Sequence, residues 1–129
     1  MSKGLVELVL AGCLLMAGCA PGGTIKARLE GDRSLDMRTG QTLELEVDSN
    51  PTTGYSWAVA SSRNSGVLRQ KRKDKYVPPS TDLVGAGGKQ IFYFEALKRG
   101  RAVLSFEYRR PWEKDKGPAE KYTVIVDVH

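Results

Sequence analysis

A period of two runs through this chain and limits what it can fold into. Ile25, Ala27 and Leu29 alternate with Lys26, Arg28 and Glu30, and Leu43, Leu45 and Val47 alternate with Glu44, Glu46 and Asp48. Successive side chains of an extended backbone point to opposite faces, so each run presents one buried face and one wet face. The pattern returns in Tyr55, Trp57 and Val59, in Ala102, Leu104, Phe106 and Tyr108, and in Val124, Val126 and Val128. Residues 67–76 read as a further strand with a strongly charged centre. Residues 90–96 carry Ile91, Phe92, Tyr93 and Phe94, apolar on both faces, which predicts a central strand. No segment has a helical period of useful length. About seven short strands separated by turn signals predict an all-β fold, an antiparallel β-sandwich, with a small barrel as the alternative.

The amino-terminal stretch stands outside that pattern. Lys3 is its one cation, and an apolar run at 8–16 leads to Ala17-Gly18-Cys19. The run is short for a bilayer span and ends in small residues, so residues 1–18 read as an export signal. Met16-Ala17-Gly18-Cys19 resembles a bacterial lipoprotein cleavage site, with Met16 where leucine is usual and Glu7 interrupting the apolar region. That resemblance implies a lipid on Cys19, residues 19–23 as a tether, and an exported, membrane-anchored protein facing the periplasm or cell exterior. A plain secreted chain with an unmodified Cys19 is the alternative. Both cysteines, Cys13 and Cys19, fall in or beside the signal. The domain at 24–129 must therefore be stabilised by a packed core and not by disulfides.

The residues argue against catalysis. The single histidine, His129, is the last residue of the chain, where side chains are ordinarily mobile. The domain lacks a thiol for a Cys/His pair, and a Ser/His/Asp triad would have to recruit the terminus. Zinc-type ligand sets are missing, and no glycine-rich loop precedes a helix, so neither metal nor cofactor is expected. Glu44 and Glu46 share the polar face of a strand and read as wet surface. The run at 69–75 (Arg69, Lys71, Arg72, Lys73, Lys75) and Lys98-Arg99-Gly100-Arg101 concentrate much of the net charge of +5. Such a surface can grip a phosphate backbone, yet an exported protein rarely meets nucleic acid, and charge on an edge strand also prevents aggregation. We read it as a protected edge and expect no nucleic-acid partner. Contact with anionic lipid headgroups or an acidic partner stays open.

Three loops carry the functional signal. Asn50-Pro51-Thr52-Thr53-Gly54-Tyr55 lies between two alternating segments. Pro51 fixes its own φ, Gly54 supplies a position where φ can be positive, and two small hydroxyls occupy the tip. Alone, it could equally be an ordinary inter-strand turn. Gly85-Ala86-Gly87-Gly88 precedes the apolar strand and leaves its backbone open to close approach; a hairpin turn would also explain it. Arg110-Pro111-Trp112 sits among charged residues. An exposed Trp and Arg beside a rigid Pro are binding hot-spot types, the alternative being a Trp folded back over the sandwich end.

In this order and between strands, the three motifs resemble the loops of the chagasin-like inhibitors of papain-family cysteine peptidases, over nearly the whole domain. The resemblance implies an immunoglobulin-like sandwich whose three loops lie side by side at one end and enter a peptidase cleft. Thr52 and Thr53 would cover the peptidase's catalytic pair. Residues 85–88 would run along the non-primed side, and Trp112, held by Arg110 and Pro111, would pack on the primed side. The implied activity is tight, reversible inhibition by a monomer. A non-inhibitory envelope lipoprotein using the same loops for another protein or a glycan is the competing class.

Overall fold

The alternating segments do form strands, and they form them in two layers. The computed structural model describes residues 22–80 and 87–129. The export signal, Cys19, Gly85 and Ala86 lie outside the described residues. Eight strands are described: β1 (Thr24–Leu29), β2 (Arg33–Met37), β3 (Thr42–Ser49), β4 (Ser56–Arg63), β5 (Leu68–Val77), β6 (Gly88–Ala96), β7 (Gly100–Arg109) and β8 (Glu120–Val128). They make two four-stranded sheets, in the orders β1-β3-β6-β5 and β2-β8-β7-β4. The immunoglobulin-like sandwich is therefore present, and β6 is an interior strand as its two apolar faces required.

Two details correct the expectation. β2 had no counterpart among the expected strands, because only Leu35 and Met37 mark its inner face. The sheets are also not wholly antiparallel: β1 runs parallel to β3, and β2 parallel to β8. The cause is the path of the chain. After climbing one edge as β1, it crosses to the other sheet and descends as β2, so β3 climbs again beside β1. Asp32 Oδ1 accepts the Thr123 N–H at 2.8 Å and ties down this crossing.

The core lies where the inner faces meet. Leu43, Leu45, Phe92 and Phe94 from one sheet meet Leu104, Phe106, Val124 and Val126 from the other, all buried. Phe92 and Phe94 pack edge-on against Phe106, with ring centroids 5.1 and 6.3 Å apart. Tyr93 points to the outer face and is buried there too, because the Arg72 guanidinium covers its ring at 4.1 Å. The charged strand β5 is indeed an edge, and its pairing with β6 shifts register twice, between Gln70 and Arg72 and between Arg72 and Lys75. Bulges and cations together discourage pairing with another chain.

This topology sorts the turns into two ends. The loops β3–β4, β5–β6 and β7–β8 leave one end, called the tip. The turns β2–β3, β4–β5 and β6–β7 lie at the other, the base, where backbone bonds join them. Gly40 N–H donates to Ala96 O, Ala96 N–H to Gln41 O, and Leu97 N–H to Val67 O, at 2.8–2.9 Å. The carboxyl terminus joins the base as well. His129 N–H donates to Met37 O at 2.9 Å, and its ring nitrogen lies 3.0 Å from Asp36 Oδ1. A terminus expected to be mobile is thus tied in by strand pairing.

Candidate functional site

All three motif-bearing loops belong to the tip, and an internal scaffold positions them. Gln90 opens the buried face shared by Phe92, Phe94 and Ala96, where an amide must find partners. Its Oε1 accepts the Trp57 N–H at 2.8 Å and the Ser49 hydroxyl at 2.9 Å. Its Nε2 donates to Trp57 O and to Asp74 Oδ2, both at 3.0 Å. One side chain thereby stitches β6 to β4 across the two sheets, just beneath the loops.

Above this stitch stands a column of rings. Trp57 stacks between Tyr108 and Tyr122, at centroid distances of 4.9 and 4.7 Å, and Tyr55 stacks on Tyr108 at 5.3 Å. The Trp57 indole N–H donates to Asp48 O at 2.9 Å. Burial, and then the bond to Glu120, push the Tyr122 phenol above its ordinary pKa, so it stays a neutral donor to that carboxylate. Strands β4, β7 and β8 each contribute rings, which fixes the height at which their loops begin.

The first loop is preformed by its own side chains. Pro51–Thr53 makes a single 3-10 turn, capped by Asn50 and ended by Gly54 at φ 85°. Asn50 Oδ1 accepts the Thr52 hydroxyl at 2.6 Å and the Thr52 N–H at 3.3 Å, and Asn50 O accepts the Thr53 hydroxyl at 2.7 Å. Asn50 N–H donates to the Tyr108 hydroxyl at 3.2 Å, joining the turn to the ring column. Pro51, Thr52 and Thr53 are exposed at the apex.

The third loop locks onto the first. Arg110 Nε donates to Thr53 O at 3.0 Å, and its guanidinium lies over the Tyr55 ring at 4.6 Å. The Trp112 ring lies beside Gly54: a Cβ there would stand 2.6 Å from Trp112 Cη2. Gly54 is thus required twice, by its left-handed φ and by the indole. Trp112 still remains 67% exposed, so it is neither folded back nor buried. Glu113 steadies the turn, donating its N–H to Arg110 O at 3.0 Å and placing its carboxylate 3.6 Å from the Arg110 guanidinium.

The described part of the second loop adjoins the first from the other side. A Cβ at Gly87 would stand 3.2 Å from Ser49 O and 3.3 Å from Asn50 Cβ. Gly88 is different. It is buried within β6 opposite Ser49, and a Cβ there would meet Val77 O at 2.2 Å. The bare backbone at Gly88 is a requirement of the sheet. Between these loops an open cleft of about 450 Å³ is lined by Asn50, Gly87, Gly88 and Tyr108, with Asp48 and Glu120 at its sides.

Reading the sequence placed the apex residues but missed their supports, Gln90 and Tyr108. A signal existed for Gln90: a lone amide on the face it shares with Phe92, Phe94 and Ala96. Among the described residues no cluster of His, Cys, Asp or Glu could hold a metal ion.

Comparison with known proteins assigns the chain to a family. Residues 36–126 match the model of the chagasin family of peptidase inhibitors, I42. Chagasin of Trypanosoma cruzi is 32% identical over 97 residues, spanning 72% of this chain and 86% of that protein. Amoebiasin-1 of Entamoeba histolytica is 30% identical over 95 residues, spanning 74% of this chain and 89% of that protein. The crystal structure of EhICP2, a cysteine protease inhibitor from Entamoeba histolytica, superposes with a TM-score of 0.70 at 23% identity, covering 84% of this chain and 97% of that one. Its likeness speaks to the fold, while the family model and the sequence relatives speak to descent. The chain belongs to the chagasin family, whose members are peptidase inhibitors and not enzymes.

Proposed function

We propose that this protein is a tight, reversible inhibitor of papain-like cysteine peptidases that fills the active-site cleft with the three loops of its tip. The observation that carries the reading is the interlock of the first and third loops. Arg110 bonds Thr53 O and covers Tyr55, while Trp112 lies beside Gly54. A surface organised before docking loses little entropy when it binds, so more of the contact energy appears as affinity.

The roles divide by position. Asn50, Pro51, Thr52, Thr53, Gly54 and Tyr55 form the wedge over the catalytic cysteine and histidine of the peptidase. Gly85, Ala86 and Gly87 run along the non-primed side, where a bare backbone permits strand-like pairing, and Gly88 anchors that loop in β6. Arg110 and Pro111 present Trp112 as the anchor on the primed side. Obstruction suffices, with no covalent bond to the peptidase. The inhibitor acts as a monomer, exported and anchored to a membrane through a lipid on Cys19.

The test is a titration of papain with the purified protein at low enzyme concentration. Stoichiometric, reversible loss of activity, with the inhibitor recovered uncut, is the expected result. A folded protein that leaves both papain and a cathepsin L-like enzyme fully active would overturn the reading and favour a non-inhibitory binding module. Radiolabelled palmitate incorporation, abolished by Cys19→Ser, tests the anchor separately.

A further inference from the structure

The base of the sandwich carries a surface that inhibition does not use. Three turns meet there, and Arg38, Arg63, Lys98 and Arg99 project from them or from the adjoining strand end, all exposed. Among the described residues, no carboxylate lies within ion-pair distance of these four cations. The acids of this end are already engaged: Asp36 by His129, Asp127 by Arg101, and Glu95 by Arg69. Next to Lys98 and Arg99 stands Leu97, 44% exposed, one of few large apolar side chains so open to water among the described residues. Exposed cations at the same end as one protruding aliphatic residue combine attraction to an anionic interface with an apolar contact.

The course of the chain says which interface. Gly23 O accepts the Thr42 N–H at 3.0 Å, so the amino-terminal end of β1 is fixed at the base and the chain leaves towards residue 22 there. Cys19 precedes Gly22 by three residues, a reach of about 10 Å at most. That is close to the range over which charges act in physiological salt. On the anchored reading above, the bilayer therefore lies next to the base and on the far side from the tip.

We propose that the base is a bilayer-facing surface, in which Arg38, Arg63, Lys98 and Arg99 contact anionic phospholipid headgroups and Leu97 enters the interfacial layer. The surface holds the tether end down and turns the wedge of residues 50–55 and Trp112 away from the membrane. Backbone bonds join the turns that carry or adjoin these residues, so the footprint rests on a rigid frame.

Hydrogen exchange of the full chain on vesicles tests this directly. With phosphatidylglycerol and phosphatidylcholine mixed, amides of 38–41 and 97–100 should exchange several-fold more slowly than with phosphatidylcholine alone, while 50–55 and 110–113 stay unchanged. The difference should vanish at high salt and in the R38Q/R63Q/K98Q/R99Q variant. Equal exchange on both vesicle types, or protection at the tip, would overturn the proposal. So would equal protection by soluble heparin, which would assign the base to an acidic glycan. The variant should titrate papain like the parent chain, so failure here is distinguishable from failure of the inhibitory reading.

Discussion

The two ends of this sandwich are both clusters of tight turns, and they are held by different means. At the base, the turns are joined to one another mainly main chain to main chain: Gly40 to Ala96, Ala96 to Gln41, Leu97 to Val67, and His129 to Met37. At the tip, side chains do the joining: Asn50 within its own turn, Arg110 to Thr53 O, Tyr108 beneath Asn50, and Gln90 under all of them. Backbone bonds tolerate almost any side chain outside them. Side-chain bonds demand particular residues, which is why the tip carries recognisable motifs and the base does not. A surface that must fit a partner needs its shape specified residue by residue.

The largest break in this contrast should come at Gln90. Replacing it with leucine keeps the apolar face but leaves Trp57 N–H, Trp57 O and the Ser49 hydroxyl without their partner. Buried polar groups stranded in this way cost about 1–3 kcal/mol each, so a loss of about 3 kcal/mol or more is expected for Gln90→Leu. Urea unfolding should show it, and papain inhibition should weaken in parallel because the stitch lies beneath the loops. An unchanged midpoint would mean that water or a neighbour replaces the amide, and that the tip does not depend on it.

Next in size is a break at the base, where the backbone is the main point of vulnerability. Gly100 sits at φ 145°, and a Cβ there would meet Val67 Cγ2 at 2.6 Å. Gly100→Ala should cost about 2 kcal/mol in unfolding free energy through strain and overpacking. Inhibition of papain at a temperature where the variant is folded should be unaltered. Weakened inhibition in a fully folded variant would show the two ends to be mechanically coupled, and the contrast between them would fail.

The converse belongs to Trp112. At 67% exposure its ring contributes little to the core. Trp112→Ala should leave the melting temperature within a degree or two and weaken inhibition by about 2 kcal/mol, roughly thirtyfold, if the indole is a buried anchor in the complex. Equal inhibition by the variant would take Trp112 out of the contact and leave residues 50–55 as the wedge alone.

How far the sequence could be read follows the same division. Strict alternation exposed the strands with three or more inward apolar residues, and the double-faced run identified β6 as interior. β2 escaped because two apolar residues do not make a period. The parallel edges escaped because pairing direction depends on which sheet the chain enters after β1, and no local pattern encodes that choice. At the tip, Thr52, Thr53, Gly54 and Trp112 were legible as turn and hot-spot types. Their interlock was not, since Arg110 and Thr53 stand 57 positions apart and meet only after both sheets have formed. Gly88 was read as open backbone for a partner, whereas Val77 O already occupies the space its side chain would need.

The smallest effect is expected from an exposed ion pair that joins two strands near the base. Arg101 Nε donates to Asp127 Oδ1 at 2.7 Å across the β7–β8 pair. That hydrogen bond, followed by the charge of Arg101, holds the Asp127 carboxyl below its ordinary range. A folded-state pKa below the unfolded one adds stability above the unfolded value, and that contribution is lost as pH falls through the folded value. The acid limb of the stability curve, below about pH 4, should therefore be slightly shallower in Asp127→Asn than in the parent. Arg101 is exposed and Asp127 partly so, and screening by salt should reduce the difference. Melting temperatures between about pH 6 and pH 2, at low and high salt, would measure it. A large, salt-resistant change would mean that this ion pair is structurally essential, and that the base, like the tip, depends on named side chains.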